Sequence, residues 1–179
     1  MTEGEFLAGI TGSDADLKRA IAALQLSGQP FCLIGGLAVN NYTEPVVTLD
    51  ADFAVSAAPG IASALKAQGF DVEEFSHSIN ARLPGSRLRL QFTINSRYAN
   101  FPARAVPGTV FGISMPVASL EDVLQGKIWA FSDETRRASK RAKDRADIIR
   151  LCEDHPNIIA CVPEDLVPEV DFLRKRRSG

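Results

Sequence analysis

The sequence predicts an α/β (α+β) domain, a small sheet covered by helices, on three observations. Residues 31–34 are an unbroken apolar run, as in a strand buried on both faces of a sheet. Residues 47–55 and 87–95 alternate apolar and polar side chains, the period of a strand with one covered face. Four further stretches carry apolar residues at helical spacing. With 179 residues, 45% of them hydrophobic, the chain has enough material for one core. We expect a single domain over residues 1–179, its core at about 13–155, followed by an appendage and basic tail at 156–179.

The first helix is expected at 13–27, with Ser13 as N-cap, Asp14 and Asp16 in the first turn, and Leu17, Ala20, Ile21 and Leu24 on one face. Gly28 ends it, and Pro30 precedes the strand at 31–34. A short helix at 37–42 leads to the strand at 47–55. Pro59 and Gly60 introduce a third helix with Ile61, Ala64 and Leu65 inward, closed by Gly69. Residues 78–95 read as a hairpin around the Pro84-Gly85 turn. In its second strand Leu88, Leu90, Phe92 and Ile94 take one face, and Arg87, Arg89, Gln91, Thr93 and Asn95 the other. The Pro- and Gly-rich stretch 102–116 is a loop with one short strand at about 110–115. Ser119 caps a fourth helix, with Leu120, Val123, Leu124, Ile128 and Phe131 as its apolar stripe. A fifth helix at 138–153 points Ala142, Ala146, Ile149 and Cys152 inward, and Pro156 ends it. The rest of the chain is a short helix or loop and a frayed basic tail.

The strand at 47–55 carries the chemistry. Alternation sends Val47, Leu49, Ala51, Phe53 and Val55 one way and Thr48, Asp50 and Asp52 the other. Two carboxylates then share a face about 6 to 7 Å apart, a separation that divalent cations bridge, and hard oxygen ligands favour Mg²⁺ or Mn²⁺. The strand at 31–34 ends in Gly35-Gly36, where the backbone can approach a ligand closely and amide groups can face a phosphate. Each half has a plain alternative: a glycine pair makes an ordinary tight turn, and Asp-x-Asp arises as two solvated carboxylates. Their union on two apolar strands favours the site.

Several classes are excluded or disfavoured. No apolar run approaches the ~20 residues of a membrane span, and the start MTEGEFLAGI is acidic, without the basic and apolar regions of a signal peptide. A cytoplasmic location and no membrane partner are expected. Cys32, Cys152 and Cys161 are widely spaced, suiting buried reduced thiols rather than a disulfide framework or zinc site. The net charge of −2 gives no overall pull toward nucleic acid, although residues 136–145 and 174–177 are locally basic.

Ile34-Gly35-Gly36, with Leu49-Asp50-Ala51-Asp52-Phe53 beginning thirteen positions after Gly36, resembles the signature of the nucleotidyltransferase-fold superfamily. The stretch SLEDVLQGKIWAFSDETRRASKRAKDRADI is similar to a segment of its AbiEii-toxin-like branch, in which a helix bearing a lysine precedes a helix with a KDxxD-like run. Lys127, Lys143, Asp144 and Asp147 stand at those positions. The resemblance spans roughly residues 30–155. It implies a minimal nucleotidyltransferase fold, a mixed sheet flanked by helices with the C-terminal helices packed beside the cleft. It also implies transfer of a nucleoside monophosphate from an NTP to an acceptor hydroxyl.

In the two-metal form of that reaction, Asp50 and Asp52 would be the catalytic carboxylates that hold the cations. Gly35, Gly36, Lys127 and Lys143 would bind the nucleotide, the lysines neutralising triphosphate charge; their alternative is a solvated helix face. Many members place a third metal-binding carboxylate on a neighbouring strand, where this chain offers Gln91, with Asn95 further along. Asp144 and Asp147 are expected to pair with Lys140, Lys143 or Arg150. The residues and the resemblance leave three functions open: a metal-dependent nucleotidyltransferase, an RNA or protein being its acceptor and an antitoxin protein its partner; a catalytically impaired nucleotide- or protein-binding module; and an RNA-binding accessory protein using the basic patch at 136–145.

Overall fold

The computed structural model of the chain describes residues 14–110 and 112–177. Helices α1 (Asp14–Ser27), α2 (Gly35–Val39), α3 (Ile61–Ala67), α4 (Leu120–Ser132), α5 (Ala138–Asp154) and α6 (Pro168–Arg177) surround one sheet of β1 (Phe31–Ile34), β2 (Asp50–Val55), β3 (Asp71–Glu74), β4 (Ser78–Arg82), β5 (Arg89–Thr93), β6 (Val106–Val110) and β7 (Ile113–Val117). Among the described residues the sheet has seven strands in the order β3-β4-β5-β2-β1-β7-β6. It is mixed: β1–β7 and β2–β5 run parallel, and the other neighbours antiparallel. The fold is thus the α/β arrangement expected, a mixed sheet flanked by helices.

Its core is continuous with the sheet. Phe53 stacks on Phe92 at 5.5 Å between ring centroids and meets Phe31 edge-on at 6.2 Å. Ala51, Phe53, Leu90 and Phe92 are buried because the β2–β5 pairing sets Ala51 beside Leu90 and Phe53 beside Phe92. The opposite face of the same strands is left to Asp50, Asp52, Arg89 and Gln91. Alternation on β2 and β5 thereby sorts apolar from polar chemistry.

Several sequence expectations are corrected. The strand expected at 47–55 begins at Asp50; Val46 and Val47 are exposed, and the Asn40 side chain holds the approach by donating to the Val46 carbonyl and accepting from its amide. The helix expected at 37–42 starts at Gly35, so the glycine pair opens it. Strand β3 is additional, and 102–116 holds most of a hairpin, β6–β7, rather than one strand. Helix α5 is turned from its expected phase: Ala142 and Ala146 are exposed, and Asp144, Asp147, Ile148, Leu151 and Cys152 face inward. Burial of two aspartates is tolerable because buried Lys127 meets both. The expected short helix is α6, and it continues to Arg177, into the stretch expected to fray; there Arg174 pairs with Asp171 and donates to the carbonyls of Ile159 and Val162. The expected cap Ser13 lies outside the described residues. Cys32 and Cys152 are buried, their thiols pushed up to about 12 and about 11 chiefly by desolvation, whereas Cys161 is exposed.

Candidate active site

The site is built where β1 ends and β2 begins. Ile34 pairs with Asp52 across the antiparallel β1–β2 ladder, so Gly35, the next residue, lies against the Asp52 side chain. Gly35 has φ of 70°, and a Cβ built on it would stand 2.3 Å from Asp52 Oδ2. Glycine is required there both by backbone conformation and by space. Gly36 lies under Lys143, since a Cβ at Gly36 would meet Lys143 Nζ at 3.4 Å.

Asp50 and Asp52 differ in environment. Asp50 is gripped at both oxygens, by Arg89 Nε at 2.7 Å and by Lys140 Nζ at 2.8 Å. Burial works against its charge, but these two cations outweigh it and hold the carboxyl below the usual carboxylate range. Asp52 is only partly exposed. Desolvation, with the neighbouring Asp50 charge second, pushes its carboxyl upward against the opposing charges of Lys127, Lys140 and Arg136. Gln91 stands beside Asp52 across the parallel β2–β5 pair, and Asn80 stands beside Gln91 on β4. The row from β2 outward is therefore acid, amide, amide, and among the described residues the buried Asn80 Oδ1 has no hydrogen-bond partner.

The two lysines expected at phosphate are placed differently from one another. Lys127 is 6% exposed, with Nζ 3.0 Å from Asp144 and 2.7 Å from Asp147. The same aspartates take Arg136 and Arg150, so of their expected partners Arg150 is present, and Lys127 and Arg136 replace Lys140 and Lys143. Lys127 is a buried, ion-paired cation at the cavity wall, not a solvated helix residue. Lys143 is half-buried and stands at the glycine pair.

Two clefts meet at Asp52, Gln91 and Arg136, which line both. One, of about 290 Å³, runs between the sheet and α4 and is walled by Tyr98, Phe101 and Gly126. Tyr98 meets Phe101 and Trp129 edge-on at 5.0 and 5.4 Å. The other, of about 530 Å³, opens toward Asp71, Arg82 and Arg89. Sequence reasoning missed Arg136, Lys140 and Tyr98. Nothing in local spacing distinguishes Lys140 from Lys143, since both lie on the polar run 139–147.

Among the described residues no three acidic, histidine or cysteine side chains form a metal cluster. Asp50, Asp52 and Gln91 nevertheless supply two carboxylates and an amide oxygen on adjoining strands, hard donors that suit Mg²⁺ or Mn²⁺. The two cationic side chains drawn to Asp50 stand in for positive charge at that point. The residues fit a divalent cation through two acids rather than three. No helix among the described residues is long and apolar enough to cross a membrane.

Comparison with curated proteins gives no match. Among solved structures, the antibiotic-resistance factor ANT(2'')-Ia has a TM-score of 0.56 at 15% identity, covering 90% of this chain and 91% of that one. JHP933 from Helicobacter pylori also has a TM-score of 0.56, at 19% identity over 90% of this chain and 72% of its own. An antigenic nucleotidyltransferase-like protein from Paracoccidioides brasiliensis has a TM-score of 0.54 at 17% identity, covering 94% and 91%. These likenesses establish the shared fold. The model of the family described as nucleotidyl transferase AbiEii toxin, type IV toxin–antitoxin system, matches residues 17–171, a span that includes the glycine pair, both aspartates of β2 and the Lys127 network, and the chain belongs to that family.

Proposed function

We propose that the protein transfers a nucleoside monophosphate from an NTP to a hydroxyl on an RNA or protein acceptor, the new ester forming as the bond to the β-phosphate breaks and pyrophosphate and the hydroxyl proton leave, and that it does so as the toxin of a pair whose second member is an antitoxin protein. The observation that supports this reading best is the shared face of Asp50 and Asp52, next to Gly35-Gly36 and beneath the cations of α5. Asp50 and Asp52 would hold Mg²⁺ or Mn²⁺, with Gln91 adding an amide oxygen. A cation bound there would neutralise triphosphate charge and make the acceptor oxygen a better nucleophile. Gly36 leaves room for a phosphate beside the backbone, and Lys143 supplies a mobile positive charge at the same place. Lys127 acts at one remove, fixing Asp144 and Asp147 and so the seat of α5.

A second reading rests on Gln91. An amide beside Asp52 contributes an oxygen but no charge, which favours a protein that binds nucleotide without turning it over. Incubation of the purified protein with Mg²⁺, each labelled NTP in turn, and total RNA separates the two. Label transferred to RNA or to protein supports the enzyme and identifies the acceptor class. Nucleotide retained without transfer supports the binding module.

A further inference from the structure

Lys140 reaches from the first turn of α5 to a residue ninety positions earlier, and its contact is specific. Its ammonium takes Asp50 Oδ2 while Arg89 takes Oδ1. The two cations come from different directions. Arg89 belongs to the strand beside β2 and pairs with Asp50 within the sheet. Lys140 comes down from the helix over the face that Asp50 and Asp52 share. A cation held between those carboxylates would lie on that face, beside the Lys140 ammonium.

Asp50 already carries two single positive charges, Arg89 and Lys140, and a divalent cation would bring two more to the same carboxylate, a repulsion that favours release of one of the resident side chains. Both side chains border the larger cleft and Arg89 is the more exposed, but Arg89 stands on the strand paired with Asp50, whereas Lys140 reaches over from α5 with its charge at the end of a flexible four-carbon stem, which makes it the easier of the two to release. An incoming triphosphate offers it oxygen anions in exchange for Asp50.

We propose, building on the metal and nucleotide reading above, that Lys140 is a displaceable counter-ion of Asp50, which leaves the carboxylate when a divalent cation arrives and passes to the triphosphate that accompanies it. Without nucleotide, Lys140 competes with the metal. With nucleotide, it has a new partner, so metal and NTP bind with positive coupling. Lys140 is then a positioning residue that makes the protein select the metal–nucleotide complex over the free metal.

The test is a Mn²⁺ titration read from the electron paramagnetic resonance signal of free Mn²⁺, with and without a non-hydrolysable NTP analogue, on the wild type, Lys140→Met and Lys140→Arg. We expect Lys140→Met to bind Mn²⁺ alone roughly tenfold more tightly and to bind the Mn²⁺–analogue complex more weakly, while Lys140→Arg stays near the wild type. Opposite effects on the two ligands are not produced by a merely structural lysine. If Lys140→Met fails to fold, Lys140→Gln makes the same comparison. Equal or weaker Mn²⁺ affinity in a folded variant, with the wild type binding normally, overturns the counter-ion role and leaves the metal reading standing. Absence of Mn²⁺ binding in every form, with or without the analogue, overturns both.

Discussion

The Asp52 carboxylate lies directly on Gly35, so close that a methyl group there would stand 2.3 Å from Oδ2. Gly35 and Gly36 therefore do different things. Gly35→Ala costs about 1–2 kcal/mol from its left-handed backbone alone, and the clash with Asp52 adds to that. Gly36→Ala meets the movable tip of Lys143 at 3.4 Å and the Thr48 hydroxyl at an ordinary 3.7 Å, and leaves stability near the wild type while weakening NTP binding. Urea denaturation and nucleotide titration of the two variants check this division. Similar unfolding midpoints would contradict it.

Asp50 and Asp52 make opposite contributions to stability. Because burial and the Asp50 charge raise the Asp52 carboxyl, its ionised form opposes folding at neutral pH, and that opposition is relieved as pH falls through the folded-state value. Asp52→Asn should raise the urea midpoint at pH 7, with the gain vanishing below the ordinary carboxylate value of about 3.9. For Asp50, burial is outweighed by Lys140 and Arg89, so its contribution is present above that ordinary value and lost as pH falls through a lower one. Asp50→Asn should lower the midpoint at pH 7. Midpoints moving in the same direction would contradict the assignment.

Lys127 ties α4 to α5. Desolvation works against its charge, but Asp147 and Asp144 outweigh it and hold the ammonium above the ordinary lysine value. Its contribution is complete below about 10.4 and is lost as pH rises through the folded-state value. Lys127→Met leaves two buried carboxylates short of a partner and should cost about 3–5 kcal/mol at pH 7, a deficit that narrows in strong alkali. Urea denaturation at both pH values tests it.

Local patterns were enough to read β1, the glycine pair, the face shared by Asp50 and Asp52, and the β4–β5 hairpin, because each depends on neighbours in the chain. Strand β3 was not legible: Asp-Val-Glu-Glu has no apolar alternation, and it is a strand because it pairs with β4 at the sheet edge. Pro107 and Pro116 disguised β6–β7, yet both residues sit opposite one another in a regular edge hairpin. The phase of α5 was misread because its alanines look buried and its aspartates exposed; Lys127, seventeen positions before Asp144, reverses that. The Lys140–Asp50 contact spans ninety positions, beyond anything that periodicity reports.

The position of Gln91 beside Asp52 makes a direct test of the missing acid. Gln91→Glu places a third carboxylate on the row, adding charge that an amide lacks. Mn²⁺ affinity should rise, measured by calorimetry on a variant with wild-type melting temperature. Unchanged affinity would mean that Gln91 does not reach the cation.

Whether Asp50 and Asp52 bind a nucleotide through a divalent cation is decided most directly by calorimetric titration of an NTP into the wild type and Asp50→Asn/Asp52→Asn, in Mn²⁺ and in EDTA. Heat of binding is expected only for the wild type in Mn²⁺, with the double variant folded and silent. Equal NTP affinity in EDTA, or in the double variant, would contradict the metal-bridged site.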